Sequence, residues 1–260
     1  MASINKSFVK CRHHLVEFLS DVARMVTPTC SAKGFEILTQ DETNKLYGSK
    51  NNQVVYDRPS PSVLVLTNNN LRLPPLVSSS SSEIKGTIVL DLDETLVHSI
   101  LGPAPPRYDF MVSRDIDGTT VNFYVLKRPG VDEFLEMISK KYEVVVFTAG
   151  HVAYASKVLD ILDPKGLISH RFYRDSCKQV RGKFIKDLSG MGRDMRKIVI
   201  VDDNPNSFTL QPENGIPIKP FLGDEPWDNE LMKLAGFFER CDVCSDMRDA
   251  VKKYLELIIR

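Results

Sequence analysis

A short apolar strand that ends in two carboxylates is the feature that most constrains the fold of this chain. Residues 87–90, Thr-Ile-Val-Leu, are apolar or β-favouring, which is typical of a strand buried on both faces of a parallel sheet. Asp91 and Asp93 follow this strand at once. Because ligands bind outside the carboxyl ends of the strands in open α/β sheets, we expect chemistry at these two acids. Their mutual repulsion requires compensation, which a hard cation such as Mg²⁺ would provide.

Two more buried strands are predicted, and polar residues follow each of them. Residues 142–147 run into Thr148, and residues 197–201 run into Asp202 and Asp203. Strands that alternate with helices predict an α/β fold with a doubly wound parallel sheet. The carboxyl ends of parallel strands lie at one edge, so these polar side chains should converge there. Apolar side chains at helical spacing mark the predicted helices, near 131–138, 152–162 and 247–258.

The segment between the first acidic strand and Thr148 has room for a β-hairpin and one helix only. Two strand-like runs, residues 108–114 and 121–126, flank Asp117-Gly118, which is a strong hairpin-turn signal. A separate lid domain is therefore not expected. Without a lid, the substrate itself must exclude water, and a phosphorylated side chain that protrudes from a protein suits such an open cleft.

Residues 1–82 differ in composition from the rest of the chain. Apolar side chains at helical spacing in the first part predict a short helix that ends before Pro28, and the remainder is rich in Asn, Ser and Pro. This composition predicts a mostly disordered N-terminal tail, with the folded domain at residues 83–260. An organellar transit peptide is an alternative interpretation of the basic N-terminus, although Glu17 and Asp21 count against it.

Charge, hydropathy and cysteine content argue against several classes of function. Lys and Arg total 34, as do Asp and Glu, so no net charge favours nucleic acid or an anionic membrane as a direct partner. No apolar stretch reaches the length of a membrane span. The five cysteines are scattered, which suits a reducing compartment better than a disulfide framework. Trp227 is expected to anchor packing ahead of the next helix.

The polar groups at the predicted sheet edge suit a phosphate. Lys186 lies between the last two predicted strands and offers an ammonium group to the same edge. A cation and Lys186 would neutralise phosphoryl oxygens, and the Thr148 hydroxyl would donate a hydrogen bond. A carboxylate that carries no proton can attack phosphorus, as in enzymes that form an aspartyl phosphate. The alternatives are an ordinary solvated strand end for Asp91 and Asp93 and a solvated lysine for Lys186.

Taken in chain order, these residues resemble the motifs of a known superfamily. The four motifs of the haloacid-dehalogenase (HAD) phosphatases are similar to Asp91-Leu92-Asp93-Glu94-Thr95, Phe147-Thr148-Ala149, Lys186 and Asp202-Asp203. More narrowly, the FCP/SCP-type (CTD small phosphatase-like, NLI-interacting-factor-like) phosphatases resemble the chain at residues 97–99, 124–134, 186–189 and 210–214. Members of that family act on the C-terminal domain of RNA polymerase II and on related phosphoproteins. The resemblance spans about residues 84–254.

The resemblance implies a role for each matching residue. Asp91 would be the nucleophile that accepts the phosphoryl group, while Asp93 would protonate the leaving alkoxide and later deprotonate the attacking water. Thr148 and Lys186 would hold phosphoryl oxygens. Thr95 would support the turn of the first motif within the substrate-binding site.

The same resemblance implies Mg²⁺ as the cofactor. Its ligands would be the Asp91 carboxylate, the backbone carbonyl of Asp93, and Asp203. Asp202 would lie behind these ligands or pair with Lys186, and which of the two adjacent aspartates binds the metal directly stays open. The small members of the family commonly have Asn where this chain has Asp203, and the additional negative charge should tighten metal binding.

Substrate-binding positions are implied as well. Arg174 matches an arginine that helps to bind the phosphopeptide in the family. In the small phosphatases the insert after the first strand forms an apolar pocket for a proline near the phosphoserine, and His151, Ile116 and Phe123 would line it here. The full set of matching positions is Leu101, Arg114, Ile116, Phe123 and His151. Because Arg114 and His151 are polar, we do not expect the polymerase phosphosite preference of these relatives to be preserved.

The sequence as a whole predicts a Mg²⁺-dependent protein serine/threonine phosphatase. Its substrate would be a phosphoserine or phosphothreonine in a flexible protein segment, with the C-terminal domain of RNA polymerase II as one candidate. A small-metabolite phosphatase on the same fold and a non-catalytic phosphopeptide-binding module are the alternatives. The lack of a lid counts against the first, and the presence of both Asp91 and Asp93 counts against the second. Nucleus and cytoplasm both stay open as locations.

Overall fold

The computed structural model describes residues 71–74, 86–116, 119–241 and 244–258. The chain divides into two compact units: Met1–Arg58 with Asp115–Thr119, and Pro59–Arg114 with Thr120–Arg260. In the first unit only positions 115, 116 and 119 are described, and they are the ends of two strands. The helix predicted before Pro28 and the Asp117-Gly118 turn lie outside the described residues. The elements and side chains below belong to the second unit, apart from those strand ends.

The strands of the described residues form a large parallel sheet and smaller antiparallel pairings. In chain order they are β1 (Thr87–Leu90), β2 (Val97–Leu101), β3 (Phe110–Ile116), β4 (Thr119–Lys127), β5 (Glu143–Phe147), β6 (His170–Phe172), β7 (Lys178–Val180), β8 (Lys183–Ile185), β9 (Ile198–Asp202) and β10 (Gly215–Pro217). The central sheet has five strands in the order β10-β9-β1-β5-β6, and the pairings along it are parallel. The predicted α/β fold with a parallel sheet is confirmed.

The apolar runs of the sequence become the middle of this sheet. Every residue of β1, β5 and β9 is buried, which explains why these strands lack the alternation of a half-exposed strand. The two outer strands β6 and β10 have three residues each. Such short strands carry too little pattern to be read from periodicity alone.

Four α-helices occur in the described residues, and each buries apolar side chains. They are α1 (Val131–Ile138), α2 (Val152–Leu162), α3 (Glu230–Arg240) and α4 (Met247–Ile258). Helix α1 follows Gly130, whose φ of 79° suits glycine, and it buries side chains at the i, i+3, i+4 and i+7 positions. Helix α2 stops at Asp163, whose carboxylate accepts hydrogen bonds from the backbone of Leu167 and Ile168 at 2.8 Å. None of the described helices is long and apolar enough to cross a membrane.

The insert between β1 and β5 forms its own small sheet. Its strand order is β2-β4-β3, and β2 runs antiparallel to β4. The strands β3 and β4 correspond to the predicted hairpin, and β2 adds a third strand to it. The described part of the insert contains these strands and α1, and it holds no separate lid domain.

A short piece of the predicted tail packs on the domain. Residues 71–74 are described, and Leu73 is buried in a core cluster with Val89 and Phe147. The backbone N–H of Leu73 also donates a hydrogen bond to the carbonyl of Met191 at 3.0 Å. The packed region therefore includes residues 71–74, which lie within the N-terminal tail predicted from composition. The remainder of residues 1–82 lies outside the described residues.

The expectation that Trp227 anchors packing is wrong, because its side chain is 90% exposed. The neighbouring Asp228 takes the inward position instead, where it pairs with the buried Arg128 at 2.8 Å. Arg128 is 1% exposed, and it also donates to the carbonyls of Thr95 and Lys219. An ion pair, and not the aromatic side chain, therefore joins this loop to the domain.

Candidate active site

The carboxyl ends of the three central strands lie level with one another. Leu90 of β1 pairs in register with Val146 of β5 on one side and with Val201 of β9 on the other. Asp91 therefore comes level with Asp202, and the end of β5 lies on its other side. The structure thus brings together strand ends that the sequence predicts to converge.

Lys186 binds the carboxylates that follow β1 and end β9. Its Nζ atom lies 2.5 Å from Asp91 Oδ1 and 2.7 Å from Asp202 Oδ2. The residue is 1% exposed, and its backbone N–H donates to the carbonyl of Ser207 at 2.7 Å. Burial alone would lower the pKa of Lys186, but Asp202 and Asp91 raise it above its usual value. Lys186 is therefore a fixed positive charge beside both carboxylates.

Asp91 is a buried carboxylate held on two sides. Lys186 contacts one oxygen, and the Thr95 hydroxyl donates to the other, Oδ2, at 3.3 Å. Burial raises the pKa of Asp91 well above its usual value, Lys186 opposes this effect, and Asp202 and Asp203 add to it. Another positive charge at this position would keep Asp91 ionised.

Three carboxylates form a cluster that suits such a cation. The ligand oxygens of Asp91, Asp202 and Asp203 all lie within 4.8 Å of one another. Lys186 contacts two of these carboxylates, and the three together offer the oxygen donors that a hard divalent cation prefers. The carboxylate of Asp93 is not in this cluster, which leaves only its backbone carbonyl for the predicted metal role.

Asp93 is held by a tyrosine. The Tyr154 hydroxyl donates to Asp93 Oδ1 at 2.5 Å, and the Ser99 hydroxyl lies 2.5 Å from the same tyrosine oxygen. Burial and the nearby Glu94 carboxylate raise the pKa of Asp93 to about 7, while the Tyr154 hydrogen bond acts in the opposite direction. A carboxyl group with this pKa can both give and take a proton near neutral pH.

Tyr154 is a site residue that sequence reasoning missed. It lies in the first turn of α2 and is buried, with its ring 4.7 Å from the ring of Phe123. A signal was present in the sequence, because a buried tyrosine needs a partner for its hydroxyl. The helix that carries it starts four residues after Thr148, at the edge of the sheet where the polar residues are expected to converge. The apolar spacing of this helix predicts its buried face, but it does not identify Tyr154 as a hydrogen-bond partner of Asp93.

Thr148 lies at the end of β5 with its hydroxyl toward the following loop. Its Oγ1 accepts a hydrogen bond from the Gly150 backbone at 2.8 Å, which leaves the hydroxyl proton available to a ligand. A Cβ atom at Gly150 would lie 3.1 Å from this oxygen and 3.4 Å from Asp93 Oδ2. Glycine therefore allows the loop to approach both side chains closely.

Three of the residues that were predicted to bind substrate differ in their exposure and in their contacts. Arg174 is partly exposed and donates from Nε to the carbonyl of Ala149 at 2.6 Å. His151 is partly buried and immediately precedes α2. Phe123 is 5% exposed and packs on Tyr154.

The two remaining residues that were predicted to bind substrate are Thr95 and Ile116. Thr95 is fully buried, and its hydroxyl donates to Asp91 and accepts the Asp203 backbone N–H at 3.2 Å. Its position therefore fits support of the first motif and not direct contact with a substrate. Ile116 is the last residue of β3, and its side chain lies outside the described part of the structure.

The fold and the site together define a class: α/β proteins with an acid-rich and lysine-containing site at the carboxyl edge of a parallel sheet. The chain belongs to the NLI interacting factor-like phosphatase family, whose model matches residues 86–248. The resemblance stated from the motifs is thereby confirmed.

Curated relatives agree with this membership. Phosphatase Herzog of Drosophila melanogaster is 48% identical over 153 residues, which cover 59% of this chain and 43% of the relative. The human CTD small phosphatase-like protein is 46% identical over 155 residues, covering 60% and 55%. The human carboxy-terminal domain RNA polymerase II polypeptide A small phosphatase 1 is 40% identical over 181 residues, covering 70% and 68%. The match therefore spans about half the length of Phosphatase Herzog and of the CTD small phosphatase-like protein.

A solved structure of Fcp1, an essential RNA polymerase II CTD phosphatase, is also similar. Its TM-score is 0.45 at 24% identity, and the match covers 67% of this chain and 54% of that one.

Proposed function

We propose that this protein is a Mg²⁺-dependent phosphatase that hydrolyses phosphoserine or phosphothreonine in proteins through a phosphoryl intermediate on Asp91. The observation that carries the proposal is the placement of Lys186 between Asp91 and Asp202, at 2.5 and 2.7 Å, at the edge where Asp93 also lies. The names of the relatives support a phosphatase activity, and those that name RNA polymerase II make its C-terminal domain the first candidate substrate. Action on that domain would place the protein in the nucleus.

The nucleophile is an oriented carboxylate. Lys186 and Thr95 each bind one oxygen of Asp91, so its plane is fixed before a substrate arrives. Holding a reacting group in one orientation removes much of the entropic barrier to attack. An oxygen of Asp91 forms the new bond to phosphorus while the bond between phosphorus and the serine oxygen breaks.

The leaving alkoxide needs a proton, and Asp93 supplies it. Tyr154 occupies Oδ1 of this carboxyl group, which leaves Oδ2 to carry the proton toward the leaving oxygen. The pKa of about 7 keeps a useful fraction of Asp93 protonated near neutral pH. After the leaving group departs, the ionised Asp93 takes a proton from water as that water attacks phosphorus. The bond between phosphorus and the Asp91 oxygen breaks in this step, which releases inorganic phosphate and regenerates the Asp91 carboxylate. The second step restores the protonation state that the first step requires.

Phosphoryl charge is met by groups that are already in place. Lys186 supplies an ammonium charge, and the Thr148 hydroxyl has a free proton to donate. Preorganised donors in a buried site stabilise developing charge without reorganisation during the reaction. A divalent cation held by Asp91, Asp203 and the Asp93 carbonyl would further neutralise the phosphoryl oxygens and keep Asp91 ionised.

The experiment is a comparison of turnover on p-nitrophenyl phosphate and a phosphopeptide panel, with and without Mg²⁺. Asp91→Asn should lower kcat by on the order of 10³-fold or more on both substrates, because no carboxylate remains to attack. The matched control is Asp249→Asn, which removes an exposed carboxylate on α4 and should behave as the wild type. Chelation of divalent metal should abolish turnover and Mg²⁺ should restore it.

Three other outcomes would each contradict a different part of the proposal. Absence of turnover on every substrate, with tight phosphopeptide binding, would favour a binding module. Turnover confined to small phosphorylated metabolites would refute the protein substrate while leaving the mechanism intact. Full activity of Asp91→Asn would refute the assigned nucleophile.

A further inference from the structure

Beside the proposed catalytic residues lies a group of cationic side chains that the mechanism does not use. Arg174 is clamped to the loop after β5, since its backbone N–H donates to Gly150 at 3.0 Å and its side chain donates to Ala149 at 2.6 Å. Its guanidinium also lies 4.9 Å from the centre of the Phe184 ring. The same loop approaches Asp93, as the space around Gly150 indicates. The charge of Arg174 is thus held in one place next to the general acid.

His151 continues this loop and has an unused donor or acceptor. Its Nε2 atom is buried, and within the described part of the chain it has no hydrogen-bond partner. Burial lowers the pKa of His151, and the charges of Arg174 and Arg114 lower it further, whereas the exposed Asp175 opposes them. A buried polar atom without a partner is uncommon in proteins and calls for one from a ligand or water.

Arg114 is a second cationic residue near this loop, since its charge lowers the pKa values of both His151 and Arg174. It lies on β3, and the residue before it, Ser113, accepts a hydrogen bond at its carbonyl from Lys157 of α2 at 2.6 Å. This contact joins β3 to α2, the helix that follows His151. Arg114 is partly buried, and it forms no ion pair with another residue of the described ranges.

The negative groups nearby form no ion pair with either arginine among the described residues. Asp175 is exposed and pairs with neither arginine among the described residues, while Asp93 is committed to Tyr154. The charges of both arginines act on His151, which places the two guanidinium groups near that ring, beside the loop that approaches Asp93. Arginine in such a position recognises phosphate or carboxylate through paired hydrogen bonds.

We propose that Arg114, His151 and Arg174 form a subsite for a second anionic group of the phosphopeptide, close in sequence to the phosphoserine that is hydrolysed. The inference rests on the proposed function and narrows its substrate class to segments that are phosphorylated twice or have an acidic residue beside the phosphosite. An anion there balances the charges of the two arginines.

The test uses one peptide series around a single phosphoserine. The neighbouring positions carry alanine, glutamate or a second phosphoserine, and kcat/KM is measured for each peptide with the full chain. We expect about tenfold preference for the second phosphate over alanine and a smaller preference for glutamate, since a phosphate has more charge and more acceptor oxygens. The preference should shrink as salt is raised from low to high concentration.

Arg114→Val distinguishes the subsite from general charge effects. This variant should reduce the preference to about threefold or less, because one of the two guanidinium groups is lost. Arg240→Val is the matched control, since it removes an exposed arginine at the end of α3 and should leave the preference unchanged. Thermal melting of both variants checks that they fold.

Two results would overturn the inference without touching the proposed function: equal kcat/KM for all peptides, or a preference that persists in Arg114→Val. Failure of the proposed function appears differently, as no hydrolysis of any peptide. In that case, peptide binding to the Asp91→Asn chain by fluorescence anisotropy still tests the subsite. Equal affinity for the alanine and double-phosphate peptides would then refute it.

Discussion

The hydrogen bond from Tyr154 to Asp93 makes a prediction that depends on the chemistry of the leaving group. Tyr154→Phe removes the hydroxyl and keeps the ring, which packs on Phe123 with ring centres 4.7 Å apart. The core should therefore be retained. The change acts on Asp93, which loses the donor that holds Oδ1 at 2.5 Å.

The size of the effect follows from the kind of hydrogen bond that is lost. A hydrogen bond to a charged group contributes about 1.5–3 kcal/mol. Each 1.4 kcal/mol corresponds to about a factor of ten in rate. A phosphoserine leaving group needs the proton of Asp93, so the phosphoryl-transfer step should slow by about 10- to 100-fold. For p-nitrophenyl phosphate the leaving phenolate needs no proton, and the same step should change by less than about threefold.

The assay is single-turnover release of the leaving group from both substrates with enzyme in excess. This isolates phosphoryl transfer from the later attack of water, in which Asp93 also takes part. Ser99→Ala is a milder companion, because it removes only the hydroxyl that lies 2.5 Å from the Tyr154 oxygen. Equal slowing on both substrates would mean that Tyr154 maintains the fold of the site and does not position the acid. Unchanged rates on the phosphopeptide would refute the reasoning altogether.

Two further predictions concern stability. Burial would raise the pKa of Glu143, but hydrogen bonds from Arg193, His170 and Thr87 lower it from 4.5 to about 2. A folded-state pKa below the unfolded value stabilises the fold above about pH 4.5, and this contribution, about 3 kcal/mol, is lost as the pH falls from there toward 2. Urea unfolding between pH 6 and 3 should show a smaller loss of stability for Glu143→Gln than for the wild type, and equal losses would contradict this. Arg128→Met leaves the inward-facing Asp228 without its partner and should destabilise the domain by about 3–5 kcal/mol. Recovery of most of this loss in the double variant Arg128→Met with Asp228→Leu checks that the unpaired charge is the cause.

The parts of the fold that could be predicted are those with strong local signals. The strands β1, β5 and β9 are fully buried, so their apolar runs identify them and the polar residues at their ends. Parallel pairing then brings Asp91 level with Asp202 without further information. Lys186 was predicted only because it lies in the right segment, and its bridging contacts depend on β8 and on the Ser207 carbonyl.

The parts that could not be predicted depend on contacts between distant segments. Leu73 follows a run of three asparagines, and its burial depends on packing in a core cluster that includes Met191, far along the chain. Trp227 is exposed because Asp228 pairs with a buried arginine, and hydrophobicity cannot show that. The link from Tyr154 to Asp93 depends on the rotation of α2 relative to β1, which apolar spacing fixes only roughly.

Transfer of the phosphoryl group to Asp91 is the central claim, and it can be observed directly. A phosphopeptide is mixed with an excess of enzyme and Mg²⁺, the reaction is stopped in acid within the first turnover, and the mixture is treated with borohydride. Borohydride reduces an aspartyl phosphate to homoserine, which peptide mass spectrometry locates. We predict homoserine at position 91. With p-nitrophenyl phosphate, whose leaving group needs no proton, the yield should be higher in Asp93→Asn, because its intermediate forms normally and loses its phosphate slowly. Release of phosphate with no modified residue at position 91, or modification at another carboxylate, would contradict the account.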